Sequence, residues 1–113
     1  MKRKNGFLEP YLIAETAYNH EGDFDYLKKM VKKASEIGLD AIKFHILIDI
    51  DTYFQKNHPL KSKLNELLFS QSQWDEVIQI CNKLGLDVVA LCDDVASIDY
   101  VLAKQDSISS IEI

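Results

Sequence analysis

The sequence has few cysteines and no long apolar run, and each shortage excludes a class of protein. Its 113 residues contain two cysteines, Cys81 and Cys92, too few for a disulfide framework and not spaced as metal ligands. We therefore expect a reducing compartment, most simply the cytoplasm. No apolar run approaches the roughly 20 residues that span a membrane, and no apolar stretch follows the basic start as it does in a signal peptide.

Composition and charge predict one soluble globular domain. Apolar residues make up 47% of the chain and charged residues 27%, which is typical of a folded protein with one core. The net charge of −5 and the pI of about 5.1 do not favour a nucleic-acid partner. We expect residues 1–8, which include "MKRKNG", to form a basic solvated tail, and residues 9–113 to form the domain.

The chain contains an internal repeat. The tripeptide Gly38-Leu39-Asp40 recurs as Gly85-Leu86-Asp87, each time after an apolar stripe with helical spacing and before a short apolar strand. Each glycine suits the left-handed position that ends a helix. The two stripes have identical spacing: Leu27, Met30, Val31, Ala34 and Ile37 in the first, and Trp74, Val77, Ile78, Cys81 and Leu84 in the second.

The repeat predicts alternating strands and helices in the order βαβαβαβ. The predicted strands are residues 11–15, 41–45, 88–91 and 109–113. We expect Asp23 and Ser72 as helix N-caps, a third helix at about 97–104, and one short extra helix within 49–72. Such alternation requires parallel strands, either in a doubly wound sheet or in half of a (β/α)8 barrel.

One lysine interrupts the second apolar strand. Because strand side chains alternate between faces, Ile42 and Phe44 share the face that the helices cover, while Lys43 and His45 point to the other. Glu15 lies at the carboxyl end of the preceding strand, where parallel α/β folds bind ligands. Lys43 is therefore either a site residue or a structural one, with its ammonium reaching solvent or paired with Glu15. A neutral, hydrogen-bonded role for His45 also remains open.

The stretch "IAETAYNHEGD" (13–23) resembles the opening of the sialic acid synthases, which condense phosphoenolpyruvate with an N-acetylhexosamine. Those enzymes have a strand ending in Ala-Glu, then Asn-His-x-Gly-Asp, and a second strand reading Ala-x-Lys-Phe-Gln. The resemblance covers most of the chain and rests on the following residues: Ala14, Glu15, Asn19, His20, Gly22, Asp23, Ala41, Lys43, Phe44, Trp74, Asp94 and Ser97.

The resemblance implies a partial (β/α)8 barrel and roles for four residues. Lys43 would bind the phosphate or carboxylate of phosphoenolpyruvate, Glu15 would line the reaction centre, and His45 and Asn19 would contact substrate. It also implies a divalent metal, manganese or magnesium, whose ligands are not in this chain. The implied partners are small-molecule substrates together with a second copy or a missing C-terminal half. The charge and the lack of a long apolar run lead us to expect neither a nucleic-acid nor a membrane partner.

Four positions depart from the family pattern. His45 replaces a glutamine, Leu91 replaces a threonine, Asp93 adds negative charge, and Glu112 or Ser110 lies near a lysine of the family. We expect the chain to be a truncated N-terminal half-barrel, inactive alone. The alternatives are a non-catalytic remnant or binding module of the same fold, and an unrelated doubly wound domain similar to response receivers.

Overall fold

A computed structural model describes residues 3–4 and 7–113, with side chains from Glu9 onward. The strands are β1 (Arg3–Lys4), β2 (Phe7–Leu8), β3 (Ile13–Glu15), β4 (Ala41–Ile46), β5 (Asp87–Cys92) and β6 (Ser110–Glu112). The helices are α1 (Phe24–Glu36), α2 (Ile50–Tyr53), α3 (Lys61–Asn65), α4 (Gln71–Lys83) and α5 (Val95–Leu102). Strands β1 and β2 pair antiparallel within the expected tail, whose residues 1–2 and 5–6 lie outside the described residues.

The main sheet has four parallel strands in the order β3-β4-β5-β6. Sequential order is typical of a barrel wall, whereas a doubly wound sheet changes direction at a switch point. The predicted parallel α/β fold is therefore confirmed, with the topology of half a (β/α)8 barrel.

The three longer helices cover one face of this sheet. Helix α1 packs against α4, and α4 and α5 both pack on β5. The outward side chains of β4 and β5 enter the same core as the helical stripes, and Phe44 lies 5.5 Å from Trp74 between ring centroids. Since both repeated helices lie on one side, the opposite face is left for Lys43 and His45. We call this opposite face the inner face.

The helix ends confirm three predictions and correct one. Asp23 caps α1 by accepting a hydrogen bond from the Tyr26 amide at 2.9 Å. Gly38 and Gly85 have φ values of +80° and +73°, the left-handed conformation that a helix-ending glycine adopts. The prediction of Ser72 as the cap of α4 was wrong. Ser70 caps it, because its extended backbone lets Ser70 and Gln73 exchange reciprocal hydrogen bonds.

Other element boundaries shift by a few residues. The first strand of the sheet begins at Ile13 rather than at residue 11. Just before it, the Leu12 amide donates a hydrogen bond to the Asp40 carboxylate and the Leu12 carbonyl accepts one from the Asp40 amide, in the turn before β4. The third helix begins at Val95, since Asp94 caps it and Ser97 returns the capping bond. The connection expected to hold one short helix holds two, α2 and α3.

In the part of the chain that the structure describes, no helix is both long and apolar enough to cross a membrane.

Candidate active site on the inner face of the sheet

Strand register brings three predicted site residues together. Glu15 on β3 pairs directly with Lys43 on β4, and His45 lies two residues further along the same face. All three therefore lie on the inner face, and Glu15 and His45 lie toward the carboxyl ends of their strands.

A fourth residue completes an ion cluster. The Lys43 Nζ lies 2.5 Å from Glu15 Oε2 and 2.8 Å from Glu112 Oε2, and His45 Nε2 lies 2.9 Å from Glu15 Oε1. The Lys43 side chain is 16% exposed, whereas those of Glu15 and Glu112 are 47% and 51% exposed. We call these four residues the Lys43 cluster.

Contacts within the Lys43 cluster favour the charged forms of its lysine and of Glu15. Hydrogen bonds to Glu112 and then to Glu15 raise the pKa of the Lys43 ammonium. Burial acts to raise the pKa of Glu15, but hydrogen bonds from Lys43, the Ala17 amide and His45 outweigh it, so that this pKa is lowered. The cluster therefore holds two carboxylates and one ammonium, a net negative charge when His45 is neutral.

The departures from the family pattern lie in or near the Lys43 cluster. Leu91 pairs in register with His45 on one side and Glu112 on the other, so an apolar side chain separates the two polar ones on the inner face. The second departure, Asp93, follows β5 and accepts a hydrogen bond from the Tyr18 hydroxyl at 2.8 Å. The Asp93 carboxylate therefore has a hydrogen-bond donor in the loop after β3, at the carboxyl ends of the strands.

Asn19, the fourth predicted site residue, lies apart from the Lys43 cluster. It is exposed in the loop after β3, where its backbone amide donates a hydrogen bond to the Thr16 carbonyl at 3.0 Å. Its side chain lines a shallow depression whose other lining residues are His20, Glu21, Asp23 and Tyr26.

The rest of the Asn-His-x-Gly-Asp segment shapes this loop. His20 is 2% exposed, and its Nδ1 accepts a hydrogen bond from the Gly22 amide at 3.0 Å. Burial lowers the pKa of His20, which favours the neutral ring that this bond needs. Gly22 has φ +77°, and a Cβ there would lie 2.4 Å from the Glu66 carbonyl oxygen. Only glycine lets the loop backbone come this close to the Glu66 carbonyl, so the motif positions the loop against the segment after α3.

Sequence reasoning missed Tyr18 as a site residue. Its ring meets His45 edge to face, with centroids 5.6 Å apart, while its hydroxyl bonds Asp93. Burial, and then the bond to Asp93, raise the pKa of Tyr18, so the phenol stays protonated as a donor. The available signal was its place in a loop at the carboxyl edge, where barrel enzymes position functional side chains.

The described residues do not fit a metal ion. From Glu9 onward, no group of three or more His, Cys, Asp or Glu side chains is arranged to hold one. Cys81 and Cys92 are free and buried, Cys81 on α4 and Cys92 on β5.

Comparison with known proteins identifies the relatives of this fold. No protein-family model matches the chain. It is 28% identical, over 91% of its length, to N,N'-diacetyllegionaminic acid synthase of Legionella pneumophila, and 27% identical, over 80%, to mouse N-acetylneuraminate-9-phosphate synthase. The chain is thus similar in sequence to the sialic acid synthases. The predicted resemblance is thereby confirmed.

The structural comparison agrees with the sequence comparison. The chain matches the crystal structure of N-acetylneuraminic acid synthetase from Leptospira borgpetersenii with a TM-score of 0.79, covering 91% of the chain and 35% of that protein. At 21% identity, that match establishes the fold alone. The chain spans about a third of the length of the curated relatives it matches, 33% and 29% for the two named above.

Proposed function

We propose that this chain supplies the N-terminal half of a barrel that condenses phosphoenolpyruvate with an N-acetylhexosamine to form a nonulosonic acid. The observation that carries the proposal is that Glu15 contacts both Lys43 and His45 on the inner face of the sheet. The chain that forms this sheet is similar in sequence to a synthase of this family. In the proposed reaction, C3 of phosphoenolpyruvate attacks the sugar aldehyde carbon, water adds at C2, and phosphate leaves.

The Lys43 cluster can perform three tasks in that reaction. The Lys43 ammonium offers a partly buried positive charge to the phosphate or carboxylate of phosphoenolpyruvate. Glu15 orients both Lys43 and His45 through its two carboxylate oxygens. His45, with one ring nitrogen held by Glu15, can present the other to a sugar hydroxyl. Asn19 would act at the edge of the site, from the loop after β3.

The described sheet has four strands, and a closed barrel has eight. We propose that the 113-residue chain is therefore inactive alone and acts with a complementary half, either in a longer protein or in a second polypeptide. A divalent metal is part of this proposal, with ligands outside the chain, and none of the steps assigned to these residues depends on it. The two free, buried cysteines support a cytoplasmic location.

The test is phosphate release from phosphoenolpyruvate with an N-acetylhexosamine and Mn²⁺. The assay compares the 113-residue chain with the whole protein encoded by the gene, including any sequence that follows Ile113. We expect release by the whole protein and none by the chain. In the whole protein, Lys43→Met should abolish release, while Lys33→Met, on the exposed surface of α1, should not. Equal activity of the two variants would contradict the role of Lys43.

Two observations favour a second candidate, a non-catalytic binding module of the same fold. The Lys43 ammonium is already held by two carboxylates, and Leu91 has no hydroxyl to contribute to an anion site. If the whole protein releases no phosphate but folds, this second candidate replaces the first.

A further inference from the structure

Glu112 reaches Lys43 from two strands away. Lys43 is on β4 and Glu112 on β6, and the ion pair crosses β5 over the inner face beside Leu91. Neighbouring strands lie about 4.8 Å apart, so both side chains must extend toward each other to close the 2.8 Å contact. The contact therefore fills the space above β5, next to the only ammonium of the Lys43 cluster.

The two carboxylates on Lys43 are not held equally. Glu15 also accepts a hydrogen bond from the Ala17 amide at 3.3 Å and contacts His45 at 2.9 Å. In the described part of the chain, the polar contact of the Glu112 side chain is Lys43 alone. Every residue of β6 is exposed, so Glu112 can turn into solvent without disturbing the core.

We propose that Glu112 is a specificity-determining residue: an internal counter-ion of Lys43 that an anionic ligand must displace. This inference rests on the proposed function only for the choice of ligand, a phosphorylated carboxylate. With Glu112 in place, a phosphate group near Lys43 meets a carboxylate at hydrogen-bonding distance from the same ammonium. Two like unit charges about 4 Å apart repel by about 1 kcal/mol in water and by more near a protein surface, so Glu112 lowers the affinity of this face for anions.

The test is a titration of the folded 113-residue chain with inorganic phosphate and with phosphoenolpyruvate, followed by NMR near neutral pH. Glu112→Gln keeps the shape of the side chain and removes its charge. We expect it to bind both anions at least about tenfold more tightly than wild type. Glu36→Gln is the matched control, because it removes one negative charge from the exposed surface of α1, where Glu36 pairs with Lys33. It should change affinity by less than about twofold.

Two further measurements make each outcome decisive. The double variant Glu112→Gln with Lys43→Met should lose the gain, since the ammonium is then absent. A circular dichroism spectrum of each variant checks that it is folded. The proposal is overturned if Glu112→Gln binds no better than Glu36→Gln, or if its gain survives the loss of Lys43.

The outcome can be separated from that of the proposed function. If Glu112→Gln gains affinity but the whole protein releases no phosphate, the counter-ion role stands and the synthase function fails. If Lys43→Met abolishes phosphate release while Glu112→Gln gains no affinity, the synthase function stands and the counter-ion role fails.

Discussion

The Tyr18 hydroxyl donates a hydrogen bond to Asp93 Oδ2 at 2.8 Å, and so connects the loop after β3 to the residue that follows β5. The bond passes over β4, where the Tyr18 ring contacts His45 edge to face. One side chain thus braces three neighbouring strands at their carboxyl ends. This brace fixes the loop that carries Asn19, and it limits the positions open to the His45 ring.

Loss of this hydrogen bond should cost measurable stability. We expect Tyr18→Phe to lower the free energy of unfolding by about 1.5–3 kcal/mol, because the ring stays packed and one hydrogen bond to a charged acceptor is lost. Urea denaturation measures the change. Tyr26→Phe, at a tyrosine 49% exposed on α1, should leave stability almost unchanged. Equal midpoints for the two variants would show that the bond contributes nothing.

Two glycines with similar backbone angles should respond differently to alanine. At Gly38, with φ +80° and nothing within 4 Å of an added Cβ, alanine should cost about 1 kcal/mol for its left-handed backbone. At Gly22, with φ +77°, the same strain is joined by a clash with the Glu66 carbonyl. We expect Gly22→Ala to cost about 1–3 kcal/mol more than Gly38→Ala. If equilibrium denaturation gives equal losses of stability for Gly22→Ala and Gly38→Ala, the proposed clash with the Glu66 carbonyl is wrong.

Asp94 should be among the most sensitive polar positions. It is 8% exposed, caps α5, and accepts hydrogen bonds from the Ile48 and Asp49 amides at 3.2 and 2.8 Å. Asp94→Ala should lower the free energy of unfolding by about 2–3 kcal/mol, since a cap is lost and two amides lose their acceptor.

The comparison for Asp94 is Asp23→Ala, which removes a cap alone. It should cost about 1 kcal/mol. The same denaturation experiment decides the matter, and a smaller loss for Asp94→Ala than for Asp23→Ala would contradict the structural role of its two additional bonds.

Lowering the pH should destabilise the folded protein, because His20 is buried in its neutral form. Burial lowers the pKa of His20 in the folded state below its ordinary value of 6.5. The unfolded chain therefore binds a proton first, so the stabilising contribution is fully present above pH 6.5 and is lost as the pH falls from there toward the lowered pKa.

A matched pair of variants isolates this dependence. His20→Asn keeps a hydrogen-bond acceptor for Gly22 but does not titrate, so its unfolding free energy should change less than that of wild type across the same pH range. His58→Asn, in another loop, leaves His20 in place and should retain the wild-type dependence that His20 causes. Parallel pH curves for wild type and His20→Asn would contradict the assignment.

Much of the fold could be predicted because the patterns that determine it are local. The repeated stripes ending at Gly38 and Gly85 fixed two helices, and strand alternation put Lys43 and His45 on the face opposite the core. Local patterns were weaker at element ends. Ser70 and Ser72 are both acceptable caps in sequence, and only the extended backbone at Ser70, set by the preceding connection, chooses between them.

The sequence by itself determined the alternation of strands and helices, the two faces of β4, and the family to which its motifs are related. Only the tertiary structure decided which side chains meet: Glu112 with Lys43, Tyr18 with Asp93, and Gly22 with the Glu66 carbonyl. The physical reason is that periodicity sets the direction of a side chain, whereas its partner depends on register and on loop paths. Those are fixed by contacts between residues far apart in the chain.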